Sequence, residues 1–335
     1  MPIELSDLLA TARVVSIPLR QKFRGLTERE ALLFEGPQGW AEWSPFTEYP
    51  IAEAAVWLQA AIEAAFAPPQ EFFRTKIGIN ATLPAVSEAE VPLALAPFGA
   101  FGTVKIKVGG TDTSAEADLA RIEAVVSHYP EAKIRLDANG CWSVDEALSM
   151  VRALRDRSIE IEYFEQPCAS VEELVVLRAR LAEAELLAKV AVDESIRKAA
   201  DPLAVIRAGA ADILVLKVSP LGGIGPLREI ARVAKLPVVL SSALETSVGI
   251  ARGLQAAAAL ENLELDCGLG TAALLAGDVT KDSLIPKNGR LEVADVTPEP
   301  ALLDRWAASS ERRDWWFKRL EAAVNVQPLE VKIHD

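Results

Sequence analysis

From about residue 75 onward the chain repeats one theme: a short apolar run, a polar loop, then a helical stretch. This recurrence limits the fold more than any other feature. The runs are "KIGINATL" (76–83), "TVKIKV" (103–108), "KIRLDA" (133–138), "IEYFEQ" (161–166), "AKVAVDE" (188–194), "DILVLKV" (212–218), "PVVLSS" (237–242) and "LELDCG" (263–268). Their centres are spaced so that each interval holds a crossover helix and two loops. Segments such as "SAEADLARIEAVVSHY" and "VDEALSMVRALRDRS" fill those intervals, opened by the N-cap candidates Ser114 and Ser143. Eight regular units predict an α/β fold whose parallel strands close into a barrel; a doubly wound open sheet is the alternative.

The N-terminal stretch has a different pattern. "ARVVSIPLRQKFRGLTEREALLFEGPQGWAEWSPF" alternates apolar and polar residues between turn signals, as in an antiparallel meander, and "IAEAAVWLQAAIEAAF" (51–66) is an amphipathic helix. We therefore expect an α+β capping domain over residues 1–74, a barrel over 75–294, and a helical tail (295–335) that packs back on the cap. Trp306, Trp315 and Trp316 in that tail read as packing residues, and Trp142 as a loop anchor.

Composition narrows the function. The formal net charge is −13 and no basic patch stands out, which argues against nucleic-acid and anionic-membrane partners. The cluster Arg312, Arg313, Lys318 and Arg319 lies among acids and tryptophans and reads as a helix face. No apolar run is long enough to span a bilayer. Cys141, Cys168 and Cys267 are widely spaced without a metal pattern and fit a reducing, cytoplasmic setting. The two histidines, His128 and His334, sit in no motif, so neither a histidine triad nor a histidine zinc site is expected. Carboxylates and lysines are left to do the chemistry.

Those groups fall at the ends of the strands, where a parallel barrel carries its active site. Strand by strand they are Lys105 and Lys107, Asp137, Glu165, Asp193, Lys217, and Ser241 with Ser242. The three carboxylates are each 28 residues apart, one per repeat, which predicts similar heights on neighbouring strands. Lys105 and Lys107, at i and i+2, share one face. Converging carboxylates repel one another unless a cation holds them, and an all-oxygen set points to a hard divalent ion, Mg²⁺ first. The lysines then flank the ion from opposite sides, and a lysine beside a cation loses its proton more readily. Any one of these residues alone reads as a surface or capping feature; their recurrence in successive repeats reads as a site. "SPLGGIGP" (219–226) reads either as a phosphate-cradling loop or as a tight turn.

The set "KIKV", "RLDANG", "EQP", "VDES", "LVLKVSPLGG" and "SSALETSVG" resembles the enolase superfamily, muconate-lactonising-enzyme subgroup, over most of the chain. The resemblance implies a modified (β/α)7β barrel of TIM type with an α+β cap. It implies that Asp137, Glu165 and Asp193 bind Mg²⁺, with Mn²⁺ as a substitute, and that Lys107 and Lys217 are the acid/base pair. Lys105 would support Lys107 and the enolate, and Asn139 and Glu194 would back the ligands.

The implied chemistry is removal of a proton α to the carboxylate of a small-molecule substrate. A finer similarity, in "INATLPAV", "SSALETSVG" and "CGLGT", is to dehydratases that aromatise a succinyl-bearing cyclohexadiene carboxylate for menaquinone synthesis. A mobile cap loop, "PLRQKFRG" (18–25), is expected to set specificity, with Arg20 or Arg24 meeting the succinyl carboxylate and Ser241, Ser242 and Gly268 receiving the other end. An N-succinylamino acid racemase or dipeptide epimerase is the alternative enzyme; the latter group shows Asp-x-Asp on the last strand, where this chain reads Glu264-Leu265-Asp266. A non-catalytic binding or scaffold barrel would need neither the carboxylates nor the lysines. Oligomeric state stays open.

Overall fold

The computed structural model describes residues 3–110, 113–198 and 201–326. His334 and the end of the tail lie outside the described residues. Strands β1 (Arg13–Phe23), β2 (Leu26–Gly36) and β3 (Gly39–Trp43) form an antiparallel meander. The segment 18–25 is not a loop. Most of it continues β1, with a register irregularity between Pro18 and Phe23, and only Arg24 and Gly25 turn the chain. Both turn residues have positive φ (52° and 79°), the geometry that matches the twist of a two-residue hairpin.

The helix Ile51–Phe66 buries Trp57, Leu58 and Ile62. Behind the meander the helix Ser310–Val324 seats Trp316 edge-on against Trp43, centroids 5.3 Å apart, and the Trp316 indole donates to Glu30 Oε2 at 3.0 Å. Trp316 is fully buried.

The barrel strands are β5 (Ala81–Leu83), β6 (Thr103–Lys107), β7 (Lys133–Asp137), β8 (Tyr163–Glu165), β9 (Val190–Val192), β10 (Ile213–Leu216) and β11 (Val238–Leu240), hydrogen-bonded in sequence order. Two expectations change. Segment 76–83 is split: β4 (Lys76–Gly78) pairs with β12 (Arg290–Glu292), and the chain changes partner at Ile79 and Asn80 before β5 joins the barrel. Segment 263–268 is not a full strand; it closes the barrel through two parallel bridges, Ile79 to Cys267 and Ser241 to Gly268. Gly78 makes room for Asp266 here, because a Cβ would meet the Asp266 carboxylate and displace it. As expected, Ser114 and Ser143 cap the helices Ala115–His128 and Val144–Asp156.

Cap carboxylates plug into barrel helices. Glu63 accepts from the backbone N–H of Ile224 (2.7 Å) and Gly225 (3.3 Å), at the start of the helix Ile224–Ala234, and from Arg252 (2.6 Å). The anion cradle of "SPLGGIGP" is thus filled from within the chain. Glu42 does the same at the helix Ser247–Ala258, accepting from Thr246 N (3.0 Å), Thr246 Oγ1 (2.6 Å) and Gly249 N (3.2 Å). Arg29 donates back to the carbonyls of Ala243 and Leu244. No helix among the described residues is long and apolar enough to cross a membrane.

Candidate active site

The ladder of β6, β7 and β8 sets the first half of the site. Lys107 pairs with Asp137 and Asp137 with Glu165. Side chains two apart point the same way, so Lys105, Lys107, Asp137 and Glu165 all face the barrel axis. Lys105 Nζ bridges Glu165 Oε1 (2.8 Å) and Asp137 Oδ2 (3.2 Å), while Lys107 Nζ reaches Asp137 Oδ2 (2.5 Å) and Asn139 Oδ1 (2.6 Å).

The even spacing does not give even register. Glu165 pairs with Ala191, so Asp193 stands two residues further along its strand direction. The stagger of a tilted barrel moves facing residues along the axis from strand to strand. There Asp193 Oδ2 accepts from Lys217 Nζ at 2.6 Å and its Oδ1 from Arg197 Nε at 2.9 Å. Glu194 accepts from Arg197 (2.6 Å) and from Asn139 Nδ2 (3.3 Å), and its Oε2 is buried with no hydrogen-bond partner.

Burial and neighbours separate these groups electrostatically. Burial pushes Glu165 up to about 7, and the charges of Asp137 and then Asp193 add to it. Asp137 and Asp193 are buried as well, which alone would raise them, but Lys107 and Lys105 in one case and Lys217 and Arg197 in the other hold both below the usual carboxylate range. Lys105 is likewise buried, yet Glu165 and Asp137 hold its proton more tightly than usual. Lys107 goes the other way: burial lowers it below the ordinary lysine range, and the Lys105 ammonium adds to that despite Asp137. Two lysines on one face thus shift in opposite directions, Lys105 holding its proton more tightly than usual and Lys107 less tightly.

Among the described residues, no three His, Cys, Asp or Glu side chains close on one point as a finished metal cage. The lysines and Arg197 take the carboxylate oxygens instead. The donor set nonetheless suits a hard divalent cation, being buried and all oxygen. A Glu165 raised by burial and then by its acidic neighbours, and an orphaned Glu194 Oε2, both mark a place short of positive charge.

Above these groups opens a small cavity. Lys105, Lys107, Asp137, Asn139 and Lys217 line it, with Ser241, Ser242 and Gly268 on the far wall and Arg24 from the cap. Lys107 and Lys217 come from strands separated by β7, β8 and β9. Arg20 is not part of the lining; Arg24 is, stacked 4.5 Å over the Phe46 ring. Glu165, Asp193 and Glu194 lie outside the lining. The sequence did not single out Thr82, Thr271, Phe23, Phe46, Ala243 or Leu244, which also face the cavity. Thr82, Thr271, Ala243 and Leu244 fall inside motifs already quoted, and Phe23 inside the segment 18–25 expected to set specificity, whereas no signal marks Phe46. Ser242 Oγ is 2.7 Å from Thr271 Oγ1 and donates to the Gly268 carbonyl at 3.0 Å.

Asp266 faces away from this chemistry. It accepts from Thr103 Oγ1 (2.7 Å) and its carbonyl from Arg135 (2.6 Å). Thr103 opens β6 at the end opposite the Lys107 carboxylate partners, so Asp266 belongs to the barrel floor.

Residues 90–298 match the family model described as enolase C-terminal domain-like, and residues 14–65 that described as enolase N-terminal domain-like. The o-succinylbenzoate synthase of Mycolicibacterium smegmatis is 49% identical over 316 residues, covering 94% of this chain and 96% of that one. That of Mycobacterium ulcerans is 49% identical over 321 residues, covering 96% and 95%. Among solved structures, the muconate lactonizing enzyme of Pseudomonas fluorescens complexed with muconolactone superposes with a TM-score of 0.73 at 19% identity, over 89% of this chain and 98% of that one. The L-Ala-D/L-Glu epimerase of Bacillus subtilis, in a substrate-liganded complex, does so with a TM-score of 0.70 at 20% identity, over 86% and 96%. At such identities the structures attest the fold alone.

Proposed function

This chain belongs to the enolase superfamily, in its muconate-lactonising branch, and from that premise we propose that it is an o-succinylbenzoate synthase. The reading makes it a metal-dependent carbon–oxygen lyase that converts 2-succinyl-6-hydroxy-2,4-cyclohexadiene-1-carboxylate to 2-succinylbenzoate and water, for menaquinone biosynthesis. The observation that carries it is near-half identity, over almost the full length of both chains, to synthases of that one activity.

Asp137, Glu165 and Asp193 are the residues that would hold the ion, Mg²⁺ by preference with Mn²⁺ as a substitute. When bound, it supplies counter-charge to a substrate carboxylate whose negative charge grows as the α-proton leaves. Lys107 is the base. Its lowered proton affinity, next to the fixed Lys105 cation, supports that role. It takes the proton from C1; the electron pair expels the hydroxyl from C6 as Lys107 returns the proton, and water departs. The ring becomes aromatic, which drives the step. Lys217, tied to Asp193, serves as a cation on the other face of the ring. Arg24 at the hairpin tip suits the succinyl carboxylate, and Ser241, Ser242 and Gly268 the opposite end.

The division of labour follows the chain: a cap over 1–74 completed by the tail from 295, and a catalytic barrel over 75–294. The free cysteines fit a reducing, cytoplasmic location. One observation favours a racemase as the second reading, namely lysines on two separate strands around one cavity. Against a dipeptide epimerase stands Asp266, which is hydrogen-bonded at the barrel floor and unable to hold a substrate ammonium in the cavity.

The deciding assay offers the cyclohexadiene carboxylate and, separately, N-succinylamino acids, following product absorbance and loss of optical rotation. Formation of 2-succinylbenzoate is the expected result. Racemisation without dehydration overturns the reading.

A further inference from the structure

The three carboxylates sit on three different strand ends, and their relative placement depends on what ties those ends together. One residue touches all three loops. Gln166 follows Glu165 directly, is fully buried, and has φ of 40°, a conformation few residues other than glycine adopt. Its backbone N–H donates to Ala191 O on β9 at 2.8 Å, and its carbonyl accepts from Gly140 N at 2.6 Å, in the loop that follows Asp137. Its positive φ turns the side chain toward the loop after β9. There Oε1 accepts from Asp193 N and from Ser195 N, each at 3.1 Å, while Nε2 donates to Ser195 Oγ at 2.7 Å and to Cys168 O at 2.9 Å. The amide has both donors and both acceptor positions engaged.

We propose that Gln166 is a positioning residue for the cation site: it contacts no carboxylate, yet it fixes the Asp193 backbone relative to Glu165 and Asp137. The inference rests on the metal-dependent reading above. The physical argument is geometric. A cation held by three carboxylates tolerates little change in their separation, and Asp193 is the ligand whose strand register differs from the other two. Without the Gln166 amide, the buried N–H of Asp193 and the half-buried N–H of Ser195 lose their partner, and the loop must move to satisfy the first. A groove-filling role alone would cost stability and leave cation affinity intact. A positioning role weakens the cation site, as loss of the groups that orient metal ligands does, by about 10–100-fold.

The test measures Mn²⁺ binding directly, by electron paramagnetic resonance of free Mn²⁺, in wild type, Gln166→Met and Gln166→Asn. Methionine removes the whole amide. Asparagine tolerates positive φ and keeps an amide, one methylene too short to span both loops. The expected result is a Mn²⁺ Kd raised about tenfold or more in Gln166→Met and by a smaller factor in Gln166→Asn. Dehydration by either variant should recover when Mn²⁺ is raised above its new Kd, because the lysines are untouched. If Gln166→Met does not fold, Gln166→Asn decides on the same measurement. A folded variant that binds Mn²⁺ as tightly as wild type overturns the proposal. A wild type that binds Mn²⁺ but dehydrates nothing overturns the assigned function and leaves the role of Gln166 standing.

Discussion

Lys105 and Lys107 show how two residues of one type, two positions apart, come to do different things. Lys105 lies between two carboxylates and keeps its charge; Lys107 lies at the cavity edge, where burial makes that charge costly. Lys107→Ala should therefore remove all turnover and also stop exchange of the substrate α-proton with deuterated solvent, read by NMR. Lys217→Arg separates the two enzyme readings. Arginine keeps the cation but is no base at accessible pH, so weak dehydration should persist while any racemisation disappears. Persistent racemisation in that variant would show that Lys217 is no base at all. The carboxylates come next. Asp193→Ala leaves Lys217 and Arg197 without their shared partner, and should abolish activity while the circular dichroism of the barrel is kept. Chelation of wild type by EDTA should do the same reversibly, with Mg²⁺ or Mn²⁺ restoring the rate. Full activity in a chelated sample contradicts the cation assignment.

At the scale of elements, what could be read from sequence was whatever depends on local periodicity. The helix Ile51–Phe66 and the parallel strands follow from apolar spacing, and the candidate site residues follow from their place at strand ends. What could not be read depends on long-range partners. Nothing within 76–83 says that Lys76–Gly78 will pair with Arg290–Glu292 instead of with the barrel. Nothing within 18–25 says that a proline-containing stretch with three basic residues will continue a hairpin strand. The ambiguous "SPLGGIGP" is resolved only by a carboxylate more than 150 residues earlier, Glu63. That contact yields a non-additive prediction. Gly223 has φ of 132°, and a Cβ there would lie 2.2 Å from Glu63 Oε2. Gly223→Ala should cost about 1–3 kcal/mol from backbone strain alone, plus the displacement of Glu63. In a Glu63→Ala background only the strain remains, so chemical denaturation of the single and double variants should give a double-variant loss smaller than the sum. Additive losses would mean that Glu63 yields freely and does not hold the cradle.

Over the whole molecule, cap and barrel are joined by buried charge as much as by apolar packing, and this ties stability to pH. Glu42 reaches from the cap into the barrel with Glu245 close by; Thr246, Ser44 and Arg29 face it in partial compensation. Burial first, and the Glu245 charge second, push Glu42 up to about 7. Burial raises Glu245 as well. The unfolded chain releases the Glu42 proton near its ordinary value of 4.5, whereas the folded chain keeps it until about 7. Across that window the folded state binds more protons, so the contribution of Glu42 is fully present below pH 4.5 and is lost as pH rises toward 7. Each pH unit inside it costs up to about 1.4 kcal/mol, and above it the contribution is flat. Glu165 adds a slope of the same sign, so wild type alone cannot assign the effect. Glu42→Gln can, because a neutral amide still accepts from Thr246 and Gly249 without titrating. Urea denaturation of both proteins between pH 5 and 8 should show wild type losing stability relative to Glu42→Gln up to about pH 7, after which the gap stays constant. Parallel curves across the whole range would mean that Glu42 is already ionised in the fold, its charge satisfied by Arg29 and the start of the helix Ser247–Ala258.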